Sequence, residues 1–403
     1  MGKRFGTRLG RGAVLLLGGL VFGLLAFAAP RDAGAQQKTP IKMGASLSLT
    51  GSYSRTGQEQ GNGYKLWLEE VNARGGLLGR PVELIVYDDK SDPATGAKLY
   101  EKLITVDKAD LVIGPYSSPV TFAASAITEK YGHPLLAVGA SARNIWERGF
   151  KYVFQTATPS EYYMIGAVEI AVKHGAKTMV VVAENTLFTK ECADGARDHA
   201  KKLGIQTLHY EEYSRGATDF APLILKSKQL KPDIFVGCTY LPEAVLLTRQ
   251  MKDLDFAPKV VGFSVGPALP DYAKSLERDA EAIFGSSQWE PGVRYPGSPE
   301  FVQKYKQRHG VEPAYHAAQG YMGGLLLERA VKETSSLDRE KIRDFLAKLD
   351  TTTLYGRYKV SEKGLQIGKL AFLIQIQGGK RVIVWPEEAA EAKYVYPFPG
   401  WKK

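Results

Sequence analysis

The sequence predicts an α/β protein of two similar lobes, each a mostly parallel β-sheet flanked by helices. Short apolar strands alternate with amphipathic helices from Ile41 onward. The same alternation starts again near Ser160, which indicates a second unit of the same kind. Consecutive helices then follow without a sheet of their own. The chain must therefore return to a lobe already formed, so we expect it to cross between the lobes more than once.

Local sequence patterns predict the strands and helices of the first lobe. Strands are predicted over residues 41–49, 82–87, 111–114 and 134–138. Thr56 and Glu59 have the spacing of a capping box, which predicts that a helix begins there. A second helix is predicted over residues 93–106. A third begins at Pro119 with Ser118 as its N-cap, because proline suits the first turn of a helix.

The second lobe repeats the pattern, and a different arrangement follows it. Its predicted helices are 161–174, 189–203, 220–229 and 243–251, and its predicted strands are 179–182, 206–210, 233–236, 260–263 and 282–286. Helices are then expected over 300–309, 314–332 and 339–349. Residues 371–376 and 381–385 predict a hairpin about Gly378 and Gly379. Residues 396–403 are rich in proline and aromatics and predict a packed tail.

Residues 1–35 have the pattern of a secretory signal peptide. Basic residues precede an apolar run over 13–29, and Ala33-Gly34-Ala35 fits a cleavage site. An uncleaved membrane anchor is the alternative, but the run is short and contains three glycines. No cysteine stands directly after the run, so no lipid attachment is expected. The mature protein is predicted to lie outside the cytoplasm.

Composition indicates a globular protein without nucleic-acid binding. The formal net charge of the 403-residue chain is +10, but lysines and arginines are scattered among acidic residues. No basic run of the nucleic-acid-binding type occurs. The two cysteines, Cys192 and Cys238, could pair in an oxidising compartment or remain free thiols.

Signals for an enzyme are weak. The six histidines show no metal-ligand spacing, so neither a metal nor a cofactor is predicted. Gly57, Gly61 and Gly63 lack the spacing of a dinucleotide fingerprint. Residues 262–266 match G-x-S-x-G around Ser264, which leaves a secreted hydrolase as an alternative. That motif needs a helix directly after the serine, and prolines intervene.

Polar residues at strand ends predict a ligand-binding cleft. Ligands of open α/β sheets bind beyond the carboxyl ends of the strands. Ser117 and Ser118 follow one predicted strand, and Gly139, Ala140 and Ser141 follow the next. Hydroxyls and free helix N–H groups at such ends suit a carboxylate. The alternative is that the serines only cap helices.

The second lobe offers aromatic and polar side chains at its own strand ends. They are Phe188, Tyr240, Ser264 and Trp289. Facing two loops rich in hydroxyls, such residues would orient a small solute that has an apolar part. Arg55 and Arg143 lie near the predicted cleft loops and would suit an acidic ligand.

Several motifs make the sequence resemble the type I periplasmic binding proteins of the branched-chain amino acid (Leu/Ile/Val) branch. They are Leu49-Thr50-Gly51, Glu69-Glu70-Val71-Asn72-Ala73-Arg74-Gly75-Gly76, Tyr87-Asp88-Asp89, Asp92-Pro93, Ile113-Gly114 with Ser117-Ser118, and Tyr240-Leu241-Pro242-Glu243. The resemblance implies two lobes joined by three hinge crossovers that close on a ligand. It suggests that lobe 1 comprises 40–158 with 290–355, and lobe 2 comprises 159–289 with 356–395.

The resemblance also implies site roles and partners. Ser118 and Ser141 would hold the carboxylate and ammonium of an amino acid, and the Gly139 carbonyl would assist at the ammonium. Phe188 stands where the family often has tyrosine, and Tyr240 keeps the second-lobe aromatic. Ser264 stands where amino-acid binders often have an acid, so either Glu184 or another group substitutes or the ligand lacks an α-ammonium.

The predicted function is therefore a monomeric, periplasmic substrate-binding component of an ABC transporter. Its expected partners are a small-molecule ligand, an amino acid or related carboxylate, and the ABC permease subunits. The alternatives are a sensory binding protein of the same fold and a binder of an aromatic acid or amide. The resemblance does not identify the ligand.

Overall fold

The computed structural model describes residues 38–401, and the predicted signal peptide lies outside this range. The strands are β1 (Ile41–Leu47), β2 (Val82–Asp88), β3 (Leu111–Ile113), β4 (Leu135–Ala137), β5 (Val153–Gln155), β6 (Thr178–Glu184), β7 (Gln206–Tyr213), β8 (Ile234–Cys238), β9 (Val260–Phe263), β10 (Phe284–Ser287), β11 (Thr351–Thr353), β12 (Gly356–Tyr358), β13 (Phe372–Gln377) and β14 (Lys380–Trp385). The helices are α1 (Ser54–Ala73), α2 (Pro93–Thr105), α3 (Ser118–Lys130), α4 (Ile165–Lys173), α5 (Leu187–Lys202), α6 (Ala221–Leu230), α7 (Leu241–Asp253), α8 (Pro270–Leu276), α9 (Ser298–His309), α10 (Tyr315–Thr334) and α11 (Arg339–Lys348).

Two sheets organise the two lobes. The first has five parallel strands in the order β2-β1-β3-β4-β5, and the second has seven in the order β14-β13-β10-β9-β8-β6-β7. In the second sheet β6 to β10 are parallel, and β13 and β14 are antiparallel. Strand order reverses at β1 in one sheet and at β6 in the other. Those switch points are where open α/β sheets leave a crevice for ligands.

Both sheets are buried on both faces, as expected for parallel strands. Successive residues of β3 alternate between two cores: Leu111 and Ile113 pack towards α1 and α10, and Val112 towards α2 and α3. In β6, Met179 and Val181 similarly face α4 and α5. This arrangement confirms the predicted α/β fold class.

The chain crosses between the lobes three times. It passes from β5 into β6, from β10 into α9–α11, and from β12 into β13. Helices α9 to α11 return to the first lobe, where Phe301, Leu326 and Ile342 share a core with β1. The hairpin β13–β14 then completes the second sheet by pairing with β10.

Some local predictions were wrong for identifiable reasons. The capping box does not form: α1 begins earlier, Thr56 Oγ1 donates to the Tyr53 carbonyl at 2.8 Å, and Glu59 binds Arg55 and Tyr305. The helix expected over 161–174 is divided into a 3₁₀ turn (Ser160–Tyr162) and α4. The strands β5, β11 and β12, each of three residues, were not predicted.

Cys192 and Cys238 are both buried free thiols, with their sulfur atoms 2.8 Å apart. Among residues 38–401 no helix is long and apolar enough to cross a membrane. The last described residues pack on the second lobe, where the Phe398 amide donates to the Lys259 carbonyl and the Trp401 indole to the Phe256 carbonyl.

We predict that Gly63→Ala destabilises the protein by about 1–3 kcal/mol through overpacking between α1 and α10. A Cβ at Gly63 would lie 2.1 Å from the Ala317 carbonyl oxygen, and this backbone cannot rotate away. Gly61→Ala on the same helix is the control, because its Cβ would meet only the movable end of Leu47. Urea denaturation measures both variants. Equal stability of the two would contradict the predicted collision.

Candidate functional site

A narrow cavity of about 20 Å³ lies between the lobes, at the carboxyl ends of β3 and β4. That free volume is about enough for one water molecule, so the lobes must separate to admit a solute. The lining residues are Tyr116, Ser117, Ser118, Gly139, Ser141, Tyr163, Phe188, Tyr240, Val265, Tyr315, His316 and Gln319. The structure therefore brings together six predicted site residues, namely Ser117, Ser118, Gly139, Ser141, Phe188 and Tyr240.

Ser118 has a defined hydrogen-bonding capacity in this cavity. Its Oγ accepts from the amides of Ser141 at 3.0 Å and Ala142 at 3.1 Å. A hydroxyl has two acceptor positions and one donor hydrogen. Both acceptor positions are used, so the Ser118 hydroxyl can offer a ligand only its hydrogen. It is therefore suited to an acceptor such as a carboxylate.

The N-cap of α3 is one residue earlier than predicted. Ser117, and not Ser118, occupies the cap, and its Oγ accepts from the Val120 amide at 3.4 Å. Ser117 also has φ +84°, a strained value for a residue with a side chain and one that is frequent at functional sites. With Ser117 as the cap, the Ser118 hydroxyl is left for the contacts in the cavity.

The loop after β4 is fixed beside the loop after β3. The Ser117 amide donates to the Gly139 carbonyl at 3.0 Å, and the Ser141 hydroxyl lies 2.7 Å from the Tyr163 hydroxyl. A Cβ at Gly139 would lie 2.4 Å from Gln60 Oε1, so a larger residue here would require the Gln60 side chain to move. Ala140 does not line the cavity. Its side chain points to the core between the sheet and α2, because alternate residues of this extended segment face opposite sides.

Aromatic rings form the wall opposite these serines. The Phe188 ring packs against Tyr163 at 5.1 Å and Tyr240 at 5.5 Å between centroids. Tyr240 also packs against Tyr53 of the first lobe, with centroids 4.5 Å apart. These distances are typical of favourable aromatic pairs. The wall therefore joins the two lobes and gives the cavity an apolar side.

Helix α10 supplies residues that the sequence analysis missed. His316 Nε2 lies 3.3 Å from the Tyr116 hydroxyl, and within residues 38–401 its Nδ1 has no hydrogen-bond partner. Burial lowers the pKa of His316 well below its usual value, so the imidazole is neutral. Gln319 accepts from the Tyr355 hydroxyl at 3.0 Å. No local pattern predicts this placement, because it depends on the return of the chain to the first lobe.

Arg55, expected to face an acidic ligand, does not line this cavity. Its Nε is 2.7 Å from Asp271 Oδ2 and its Nη1 is 2.7 Å from Glu59 Oε1. Two carboxylates already pair with its guanidinium, and the Asp271 contact joins α1 of the first lobe to α8 of the second. Arg143, the other candidate, is similarly paired with Glu161.

Ser264 and Trp289 also lie away from the cavity. Ser264 Oγ accepts from the Thr239 amide and donates to the Thr239 carbonyl, each at 2.9 Å. Its only hydrogen is engaged, so it serves neither as a nucleophile nor as a ligand donor here. The Trp289 indole donates to Ser298 Oγ at 3.1 Å, within the first-lobe core, because the chain enters that lobe directly after β10. Within the described range, no cluster of three or more His, Cys, Asp or Glu side chains could hold a metal ion.

Comparison with known proteins gives concordant matches. Residues 40–380 match the family model described as periplasmic binding protein. The Leu/Ile/Val-binding protein homolog 8 of Brucella abortus (strain 2308) is 26% identical over 378 residues, covering 88% of this chain and 92% of that protein.

Two solved structures are similar in fold. The branched-chain amino acid transporter substrate binding protein LivJ from Streptococcus pneumoniae, in complex with isoleucine, has a TM-score of 0.78 at 24% identity, covering 89% of this chain and all of that one. An ABC transporter solute binding protein from R. palustris, in complex with benzoate, has a TM-score of 0.77 at 21% identity, covering 89% and 98%. At these identities the similarity establishes the fold.

Proposed function

This chain belongs to the periplasmic binding protein family, and from that premise we propose that it is the substrate-binding component of an ABC transporter. It binds an amino acid or a related small carboxylate between its lobes and delivers it to a permease. Membership makes the chain a solute-binding protein and not an enzyme. We further propose that residues 1–35 direct its export to the periplasm. In this proposal the lobes are 40–158 with 290–355 and 159–289 with 356–395.

The hydrogen bonding of Ser118 is the observation that carries this function. Its acceptor positions are both occupied by backbone amides, and Ser118 lines the cavity at the start of α3 with its hydroxyl hydrogen left for a ligand. A carboxylate is the acceptor that gains most from such a donor, because charge-assisted hydrogen bonds are about twice as strong as neutral ones. The aromatic wall then suits the apolar part of the solute. The isoleucine and benzoate bound by the two similar structures both combine a carboxylate with an apolar group.

A thermal-shift screen identifies the solute class, because a compound that binds only the folded state raises the melting temperature. The set comprises amino acids, aliphatic acids, aromatic acids and their amides. We expect acids to raise the melting temperature and the matching amides to do so less. Equal shifts from an acid and its amide would contradict a carboxylate at Ser118.

We predict that Ser118→Ala weakens binding of the best compound by about 1.5–3 kcal/mol, or roughly 10- to 150-fold, by loss of a charge-assisted hydrogen bond. Isothermal titration calorimetry measures the change. Ser264→Ala is the matched control, since its hydroxyl is bonded within its own lobe, and it should bind within about twofold of the unmodified protein. An unchanged affinity of Ser118→Ala would remove the proposed site.

A further inference from the structure

The two cysteines of the chain meet inside the second lobe. Cys192 lies in the second turn of α5 and Cys238 is the last residue of β8, and both side chains are fully buried. The Cys238 thiol donates to Cys192 Sγ at 2.8 Å. Because the chain has only these two cysteines, a disulfide within it can join no other pair.

Helix α5 and strand β8 hold the two side chains face to face. The buried positions of α5 next to Cys192 are small, Ala193 and Ala196, so the helix can lie close to the sheet. Cys238 points to the same side of β8 as Val236, because alternate strand residues share a face. The thiols therefore meet in the core between α5 and the sheet, where short distances between backbones favour a disulfide.

The compartment in which the chain folds determines whether such a pair stays reduced. Disulfides form and persist outside the cytoplasm, whereas cytosolic thiols are kept reduced. In the proposed function residues 1–35 direct the chain to the periplasm, which is an oxidising compartment. The inference drawn here rests on the proposed function for this step.

The bond would form by thiol–disulfide exchange with an oxidised dithiol carrier protein. One cysteine thiolate attacks the carrier disulfide and gives a mixed disulfide between the two proteins. The second cysteine then attacks the sulfur of the first, and the carrier leaves as a dithiol. The chain loses two electrons and two hydrogens, and the carrier gains them.

Burial determines when this exchange can occur. Burial, and next the hydrogen bond with Cys192, raise the pKa of the Cys238 thiol well above its usual value. The thiolate is the reactive form, so the folded, reduced protein should react slowly. The bond is therefore expected to form during folding, before α5 covers β8.

The cysteine pair adjoins the aromatic wall of the cavity. Phe188 precedes Cys192 by one turn of α5, and Tyr240 follows Cys238 by two residues. The two rings lie 5.5 Å apart between centroids, and all four side chains share one core. A bond between the cysteines would limit the separation of the two segments that carry these rings.

We propose that Cys192 and Cys238 form a disulfide in the exported protein, and that this bond holds together the two segments of the second lobe that carry Phe188 and Tyr240. The cysteines are 46 residues apart in sequence, so the bond also restricts the unfolded chain. Reduction should therefore both loosen the aromatic wall and lower the stability of the protein.

Counting thiols in the full chain tests the bond directly. Protein is recovered from the periplasm of producing bacterial cells, denatured without reductant and treated with N-ethylmaleimide. We expect no modified cysteine before reduction and two after it, and peptide mapping should find Cys192 joined to Cys238. Two modified cysteines before reduction of the periplasmic protein would overturn the proposal.

Hydrogen exchange tests the effect on the aromatic wall without any solute. Reduced protein is prepared by refolding with tris(2-carboxyethyl)phosphine and compared with the oxidised protein. The amides of residues 187–192 and 238–241 should exchange at least about fivefold faster when reduced, whereas α6 of the same lobe should be unchanged. Equal exchange at 187–192 and 238–241 in the two states would show that the bond does not hold the wall.

Thermal melting gives a second measurement. The reduced protein should melt about 5 °C or more below the oxidised protein. The variant Cys192→Ala/Cys238→Ala is the control, because refolding with the reductant should change neither its melting temperature nor its hydrogen exchange. Equal melting temperatures of the oxidised and reduced unmodified protein would contradict a stabilising bond.

The outcomes separate this inference from the proposed function. A chain retained in the cytoplasm with free thiols, which refolding with glutathione disulfide nevertheless joins, would contradict the proposed export and support the pairing of Cys192 with Cys238. A periplasmic protein that binds acids in the thermal-shift screen but has free thiols would support the proposed function and overturn the disulfide.

Discussion

Arg381→Met is expected to lower the free energy of unfolding by about 3–5 kcal/mol at pH 7.5, because it leaves one member of a buried ion pair alone. Arg381 on β14 is 10% exposed and Glu290 is 3% exposed, with Arg381 Nε 2.9 Å from Glu290 Oε2. Arg381 Nη2 also donates to the Pro313 carbonyl, just before α10, at 3.4 Å. The guanidinium thus connects the second sheet to the segment that re-enters the first lobe.

The loss should depend on pH in a defined direction. Burial raises the pKa of Glu290, and Arg381 acts against that rise. A carboxyl group whose pKa is higher in the folded than in the unfolded state destabilises the fold as pH rises through that interval. Without Arg381 the pKa of Glu290 in the folded protein rises further. The loss of folding free energy should therefore be largest at pH 7.5 and smaller at pH 5, where Glu290 can be protonated.

Urea denaturation at both pH values measures this effect. Lys306→Met is the control, since it breaks the exposed pair of Lys306 with Glu312 and should cost at most about 1 kcal/mol. Glu290→Gln combined with Arg381→Met removes the stranded charge and should recover part of the stability. If Arg381→Met alone were as stable as Lys306→Met at both pH values, the ion pair of Arg381 with Glu290 would contribute nothing to stability.

The repeated α/β pattern predicted the fold because the central strands, such as β3, β6 and β8, are mostly apolar and amphipathic helices alternate with them. The same rules predicted the serine loops of the cavity, since Ser117, Ser118 and Ser141 lie shortly after the ends of β3 and β4. They failed where the structure depends on contacts distant in sequence. His316 and Gln319 reach the cavity only because α10 returns to the first lobe, and Trp289 is drawn into that lobe by the same crossing.

Side-chain pairing was the second limit of the sequence analysis. Arg55 was expected to be available to an acidic ligand, but Glu59 and Asp271 both bind it, and Asp271 is 216 residues away. Conversely, Glu184 was considered only as a substitute for the acid missing at Ser264. Its proximity to Glu243 and Tyr53 depends on the register of β6 and on closure of the lobes, which sequence spacing does not encode.

Tyr240→Ala is expected to weaken solute binding by at least about 2 kcal/mol, or roughly 30-fold, as for a central aromatic of a binding site. Tyr240 lines both the cavity beside Ser118 and a second one of about 150 Å³ beside Arg55 and Pro242, and its ring lies between them. Removing the ring joins the two and admits water to the carboxylate site. It also deletes the packing against Tyr53 that holds the lobes together.

Tyr240→Phe is the matched control, because it removes the hydroxyl and keeps the ring. The ring keeps both the partition between the cavities and the contacts with Tyr53 and Phe188, so affinity should fall by less than about fivefold, the value of one neutral hydrogen bond. Calorimetry gives the affinities, and small-angle scattering with and without solute reports closure. Because the ring joins the lobes, Tyr240→Ala should also need more solute to close. An alanine variant that binds and closes like the unmodified protein would mean that the aromatic wall neither seals the cavity nor couples it to the hinge.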